Sequence, residues 1–85
     1  MSELSRFYGL IIRMYYDDHP PPHFHVQYGE CAKITIDTLA LLTGYLPARA
    51  LGLVVEWGLL HREELSARWR AADNHEELLK IDPLP

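Results

Sequence analysis

The 85-residue sequence predicts an α+β fold, a four-stranded antiparallel meander packed on a long C-terminal helix or on two helices. Two patterns carry that expectation. Up to Thr43, apolar and polar residues alternate with period two in short runs divided by Pro, Gly and Asp, whereas after Pro47 apolar residues recur at spacings of three and four. The links between the runs are too short for a parallel crossover, so neighbouring strands must run antiparallel. A sheet and a helix that each have one apolar side cover one another, which gives two layers.

The first strand is expected over Phe7 to Tyr16, with Tyr8, Leu10, Ile12, Met14 and Tyr16 on one apolar face and Ile11, Arg13 and Tyr15 on the other. Pro20-Pro21-Pro22 then forms a stiff, extended joint, because proline fixes its own φ and restricts the residue before it. In the second strand Phe24, Val26 and Tyr28 alternate with His23, His25 and Gln27, so the two histidines share a face. Gly29-Glu30 turns the chain into a third strand, in which Ala32, Ile34 and Ile36 alternate with Lys33, Thr35 and Asp37. Leu39 to Thr43 forms a fourth, more apolar strand.

Pro47 occupies a first helical position, and Ala50, Leu53, Val54, Trp57, Leu60, His61, Leu65, Trp69 and Ala72 follow at helical spacing, in one helix or in two joined near His61. Glu64 and Arg68 are placed for an i,i+4 ion pair. Leu78 to Ile81 either adds a short fifth strand or docks on the sheet. Leu53, Val54 and Trp57 are expected against Leu10, Ile12, Phe24, Val26, Ile34 and Ile36, which leaves His23 and His25 on the open face of the sheet. His61 reads as a packed, hydrogen-bonded histidine, and His75 as a partner for the carbonyls at the helix C-terminus.

Residues 1-85 form a single domain, with no repeat, low-complexity tract or dividing linker. No apolar run is long enough to span a bilayer and no secretory signal is present, so the expected location is cytoplasmic, without a membrane partner. One cysteine, Cys31, cannot form an internal disulfide and reads as structural. The formal net charge of -4, with eight scattered basic residues, argues against a high-affinity nucleic-acid binder, and Arg49, Arg62, Arg68 and Arg70 read as a solvated helix face.

The chemistry concentrates in Asp17-Asp18-His19-Pro20-Pro21-Pro22-His23-Phe24-His25. His-x-His on a strand sets two imidazoles on one side, with β-carbons roughly 7 Å apart, and that suits two ligands of one ion. With His19, Asp17 or Asp18 as a third ligand, the set matches the nitrogen and oxygen surroundings of a divalent transition metal. The metal candidates are therefore Asp17, Asp18, His19, His23 and His25. Without a metal, His23 and His25 supply a base and an acid and Arg13 a phosphate-binding cation, the catalytic candidates for ribonuclease-like chemistry.

Ser5-Arg6-Phe7-Tyr8-Gly9, Ile11-Ile12-Arg13-Met14-Tyr15-Tyr16 and Asp18-His19-x-Pro21-Pro22-His23-Phe24-His25 resemble the N-terminal signature of a bacterial family, domain of unknown function 4160. Gly44-x-Leu46-Pro47-x-Arg49-Ala50-Leu51, Glu56-Trp57, Leu60-His61-x-Glu63-Glu64-Leu65 and Trp69 resemble its helical half. Pro20 departs from the polar residue expected there, and Asn74-His75 from an Asn-Gly turn. The family is functionally uncharacterised and is often encoded beside a second small family, domain of unknown function 2442, in an arrangement suggestive of toxin and antitoxin pairs. That resemblance implies a protein-binding module, one member of such a pair, partnered by a small neighbour-encoded protein or by a second copy in a homodimer. The alternative is a small metal-dependent or ribonuclease-like hydrolase built on the His/Asp cluster.

Overall fold

The computed structural model describes residues 2–85. Five strands, β1 (Ser2–Phe7), β2 (Leu10–Met14), β3 (His23–Tyr28), β4 (Glu30–Thr35) and β5 (Leu41–Thr43), form one antiparallel sheet in sequence order. Two helices follow, α1 (Ala48–Leu60) and α2 (Arg62–Asp73), so the α+β meander has five strands. The strand beyond the expected four is N-terminal.

The run from Phe7 to Tyr16 is not one strand: the chain reverses at Tyr8-Gly9, and Phe7 pairs with Leu10. Both turn residues have positive φ, 49° and 80°, as in the type I′ turn whose twist suits a two-residue hairpin. Glycine takes that conformation freely, and the Tyr8 hydroxyl is anchored by donating to the Pro85 carbonyl at 2.8 Å. β1 lacks clean period-two alternation because it is bulged. Glu3 pairs with Arg13 but Ser5 with Ile12, leaving Leu4 as the extra residue, and Leu4 and Ser5 are both buried.

Leu10, Ile12, Met14, Phe24, Val26, Ala32 and Ile34 form the buried face of the sheet, as alternation predicts. Against it lies Trp57 of α1, fully buried, with ring centroids 5.4 Å from Phe7 and 5.9 Å from Phe24. Its Nε1–H donates to the Asp82 carbonyl at 2.8 Å, so the one polar atom of the indole is satisfied. Val54 is buried beside it, and Leu53 only partly. α1 comes so close to the turn after β4 that a β-carbon on Gly58 would lie 2.6 Å from Leu39 Cδ2. The expected fourth strand from Leu39 to Thr43 is shorter and less buried than its composition suggests. Leu39 belongs to the turn and is buried, while Leu41 and Leu42 on β5 are 40% and 41% exposed. Cys31 on β4 is exposed and free.

The helices divide at His61, whose N–H donates to the carbonyls of Trp57 and Gly58. Its Nδ1 meets Glu64 Oε1 at 2.5 Å and its ring packs 5.5 Å from Trp57. The expected Glu64–Arg68 pair does not form. Arg68 instead donates to the carbonyls of Leu79 (2.7 Å) and Lys80 (3.3 Å), clamping the C-terminal segment. That segment docks rather than forming a regular strand: Leu78, Ile81 and Leu84 are buried, and Ile81 N–H donates to the Leu4 carbonyl at 2.8 Å. No helix among the described residues is long and apolar enough to cross a membrane.

Trp57→Ala is expected to destabilise the fold by roughly 3–5 kcal/mol, the range for large aromatic-to-alanine changes in a core. Urea denaturation of the two proteins measures it, and a loss below about 1 kcal/mol would contradict the packing described.

Candidate metal centre

With Phe24 and Val26 of β3 committed to the core, alternation sends His23 and His25 to the opposite side of the sheet. On that side His25 is flanked in register by Arg13 of β2 and Lys33 of β4, and His23 by Thr35 of β4. The β2–β3 connection then folds back over the histidines. With Asp18 returned to within hydrogen-bonding distance of the strand that follows, the joint is not the extended segment expected from three prolines; Asp17 has positive φ and the Pro20–Pro21 peptide is cis. This path carries Asp18 to both imidazoles at once: its Oδ2 lies 2.8 Å from His25 Nε2 and 3.1 Å from His23 Nε2. Its Oδ1 accepts the His19 backbone N–H at 3.0 Å.

The hydrogen bonds assign the His23 tautomer. Nδ1 lies 2.8 Å from the Pro21 carbonyl oxygen, which only accepts, so Nδ1 carries the proton. In the neutral ring Nε2 then offers a lone pair. It is buried, has no hydrogen-bond partner among the described residues, and lies 3.1 Å from a carboxylate oxygen. A lone pair set against a carboxylate is unfavourable, and either a second ring proton or a bound cation relieves it. The His25 Nε2 is hydrogen-bonded to the same carboxylate oxygen. One ligand atom from each of Asp18, His23 and His25 lies within 4.8 Å of the others. Two of the separations, 2.8 and 3.1 Å, are already close to the edge of about 3.3 Å in a tetrahedral zinc site with bonds of 2.0–2.1 Å.

His23 is not on an open face as expected. It is 2% exposed, because Trp69 of α2 packs over its ring at 5.3 Å. His25 stays partly exposed, with Tyr15 edge-on at 4.3 Å. Asp17 is drawn away to the His75 Nε2 at 3.0 Å, so His75 serves a carboxylate and stacks on Tyr16 rather than meeting helix carbonyls through its ring. His19 is exposed and contributes its backbone N–H alone to the cluster. Arg13 donates through Nη1 to the Gln27 side-chain oxygen. Of the five metal candidates, Asp18, His23 and His25 come together, and Asp17 and His19 stand apart. Sequence reasoning did not place Lys33 or Trp69 beside the histidines. Lys33 had a findable signal, since positions 25 and 33 are equidistant from the Gly29 turn. Trp69 had none beyond its place on the helical stripe.

Burial of the Asp18 carboxyl works to raise its pKa. The hydrogen bond with His25, the His19 N–H and the positive charge available to the two imidazoles outweigh burial, and hold it below the ordinary carboxylate value.

A family model described as Domain of unknown function (DUF4160) matches residues 9–70, a span that includes the whole triad, Arg13 and Lys33. No curated protein and no solved structure matches the chain.

Because the Asp18 pKa is lower folded than unfolded, its ionisation stabilises the fold above the unfolded value of about 3.9, and that contribution is lost as pH falls through the folded value. In metal-free protein the urea midpoint should therefore drop more steeply below about pH 4 for the wild type than for Asp18→Asn. Parallel curves would show that Asp18 is not engaged by the histidines.

Proposed function

The chain belongs to the DUF4160 family, and since membership brings no activity with it, we propose from the residues themselves that the protein binds a divalent transition-metal ion through Asp18, His23 and His25 as the centre of a small hydrolase. The observation that carries this reading is the His23 Nε2, buried, without a hydrogen-bond partner among the described residues and 3.1 Å from the Asp18 carboxylate, while Nδ1–H is held by a backbone carbonyl. Metal-bound histidines characteristically donate their other ring N–H in this way, which fixes the tautomer and turns the remaining lone pair toward the ion. Two imidazoles and a carboxylate suit zinc, iron, manganese or nickel, and exclude a preference for calcium or magnesium. When bound, an ion with three protein ligands keeps open positions and acts there as a Lewis acid. The metal-free ribonuclease-like alternative is less well served, because the His23 ring lies under Trp69, where it is poorly placed to exchange protons with a substrate.

Protein purified without a histidine tag should carry close to one equivalent of a transition metal by elemental analysis. Zinc affinity should fall by about a hundredfold or more in the His23→Ala, His25→Ala double variant, since removal of a group merely supporting a ligand already costs about 10–100-fold. Equal, weak binding by the two proteins would overturn the assignment.

A second reading, self-association, is favoured by the unequal edges of the sheet. β1 is braced by the C-terminal segment, whereas β5 is an edge strand with Leu41 and Leu42 exposed, and Tyr45, Leu59 and Leu60 are exposed on the segments that follow. An open antiparallel edge is self-complementary about a twofold axis, which favours a second copy over a neighbour-encoded protein. Light scattering should give a dimer mass for the wild type and a monomer mass for Leu42→Lys. A monomeric wild type at high concentration would remove this reading.

A further inference from the structure

The sheet face that bears the triad also bears two cations in register with it. Arg13 and Lys33 are the paired neighbours of His25 on β2 and β4. Directly paired residues of an antiparallel sheet project from the same face, with β-carbons about 4.5–5.5 Å apart. Both side chains are partly buried. The Arg13 guanidinium is engaged by a neutral group, the Gln27 side-chain oxygen, and Lys33 forms no ion pair among the described residues. Glu3, next in the row beyond Arg13, has its carboxylate bound by Arg6 at 2.8 Å and approached by Lys80 at 3.9 Å. Asp18, the other acid at this face, is held between the two histidines. In a chain of net charge -4, two cations therefore flank one ligand of the triad with no carboxylate committed to either.

We propose that Arg13 and Lys33 form an oxyanion subsite beside the metal position, so that the ligand of this centre bears a phosphoryl group; the proposal rests on the metal reading above. A phosphoryl group has enough oxygens to meet the ion, the guanidinium and the ammonium separately, whereas a simple carboxylate has two. Arginine supplies a planar pair of donors suited to two oxygens, and lysine a point charge for a third. Arg13 and Lys33 act here as substrate-binding residues and take no part in holding the ion.

Cobalt(II)-loaded protein provides the test, because its visible absorption reports the ligand set and any anion that joins it. Inorganic phosphate should shift the spectrum of the wild type, and the phosphate affinity should fall by about tenfold or more in Arg13→Gln and in Lys33→Gln, as expected for loss of a charge-assisted contact. Cobalt affinity and the phosphate-free spectrum should be unchanged in both variants, which shows that the site is intact. Lys33→Gln, whose side chain has no ion pair to lose, keeps the test valid if Arg13→Gln folds poorly. Phosphate acting equally on wild type and variants, or not at all on cobalt-loaded protein, would overturn the subsite. Acetate binding as tightly as phosphate would overturn the phosphoryl assignment. Failure of the wild type to take up cobalt would overturn the metal reading, and the subsite with it.

Discussion

The commitment of Phe24 to the core against Trp57 sets the orientation of β3, and the site follows from that one constraint. Once Phe24 and Val26 point toward α1, the period-two geometry of a strand leaves His23 and His25 no choice of side. A slip of one residue in the β2–β3 register would put two imidazoles under the indole and Phe24 in water, so the apolar core guards the polar cluster against misregistration. The same register places Arg13 and Lys33 on either side of His25. Burial of apolar surface, which is indifferent to chemistry, thus fixes four polar side chains relative to one another.

Asp18 is the member of the cluster that strand geometry does not place. It arrives through the Tyr15–Pro22 connection, and its position is held by polar contacts: the His19 N–H on one oxygen and two imidazole nitrogens around the other. Three nitrogen atoms crowding one carboxylate is a favourable arrangement only when the nitrogens bring protons or a cation. His25 can bring a proton. His23 already donates Nδ1–H to the Pro21 carbonyl, so its Nε2 can meet the carboxylate favourably only through a second ring proton or a bound cation, and the proposed metal site takes the second of these.

The sheet faces, the antiparallel order and the sharing of one side by His23 and His25 were all legible in the residues, because each follows from a period that the backbone imposes, whereas the helical spacing after Pro47 runs through His61 unbroken and left one helix or two open. β1 was not legible, since its bulge at Leu4 spaces Leu4 and Phe7 three apart and hides the alternation, while Tyr8-Gly9 lacks the Asn or Asp that usually marks a type I′ turn. Within the site, nothing local separates Asp17 from Asp18. Adjacent residues of a turn point in different directions, and a positive φ at Asp17 decides which carboxylate meets His75 and which meets the strand histidines. The burial of His23 was equally hidden, because it depends on where α2 lies after the break at His61, a tertiary fact with no sequence period of its own.

That cover ties the cluster to parts of the chain outside the family-matched span. Trp69 seals His23, and its neighbour Arg68 grips the carbonyls of Leu79 and Lys80. The segment so gripped is fastened in turn to the other end of the chain, through Ile81 to the Leu4 carbonyl and Tyr8 to the Pro85 carbonyl, and to the core through Trp57 and Asp82. An 85-residue chain has little core to spare, and here its two ends brace each other and α2 instead of fraying. The cover on the His23 ring is thus linked to that brace, since Trp69 and Arg68 are neighbours on α2. The residues beyond the family match hold none of the candidate ligands, yet through Arg68 they are fastened to the helix that covers one of them.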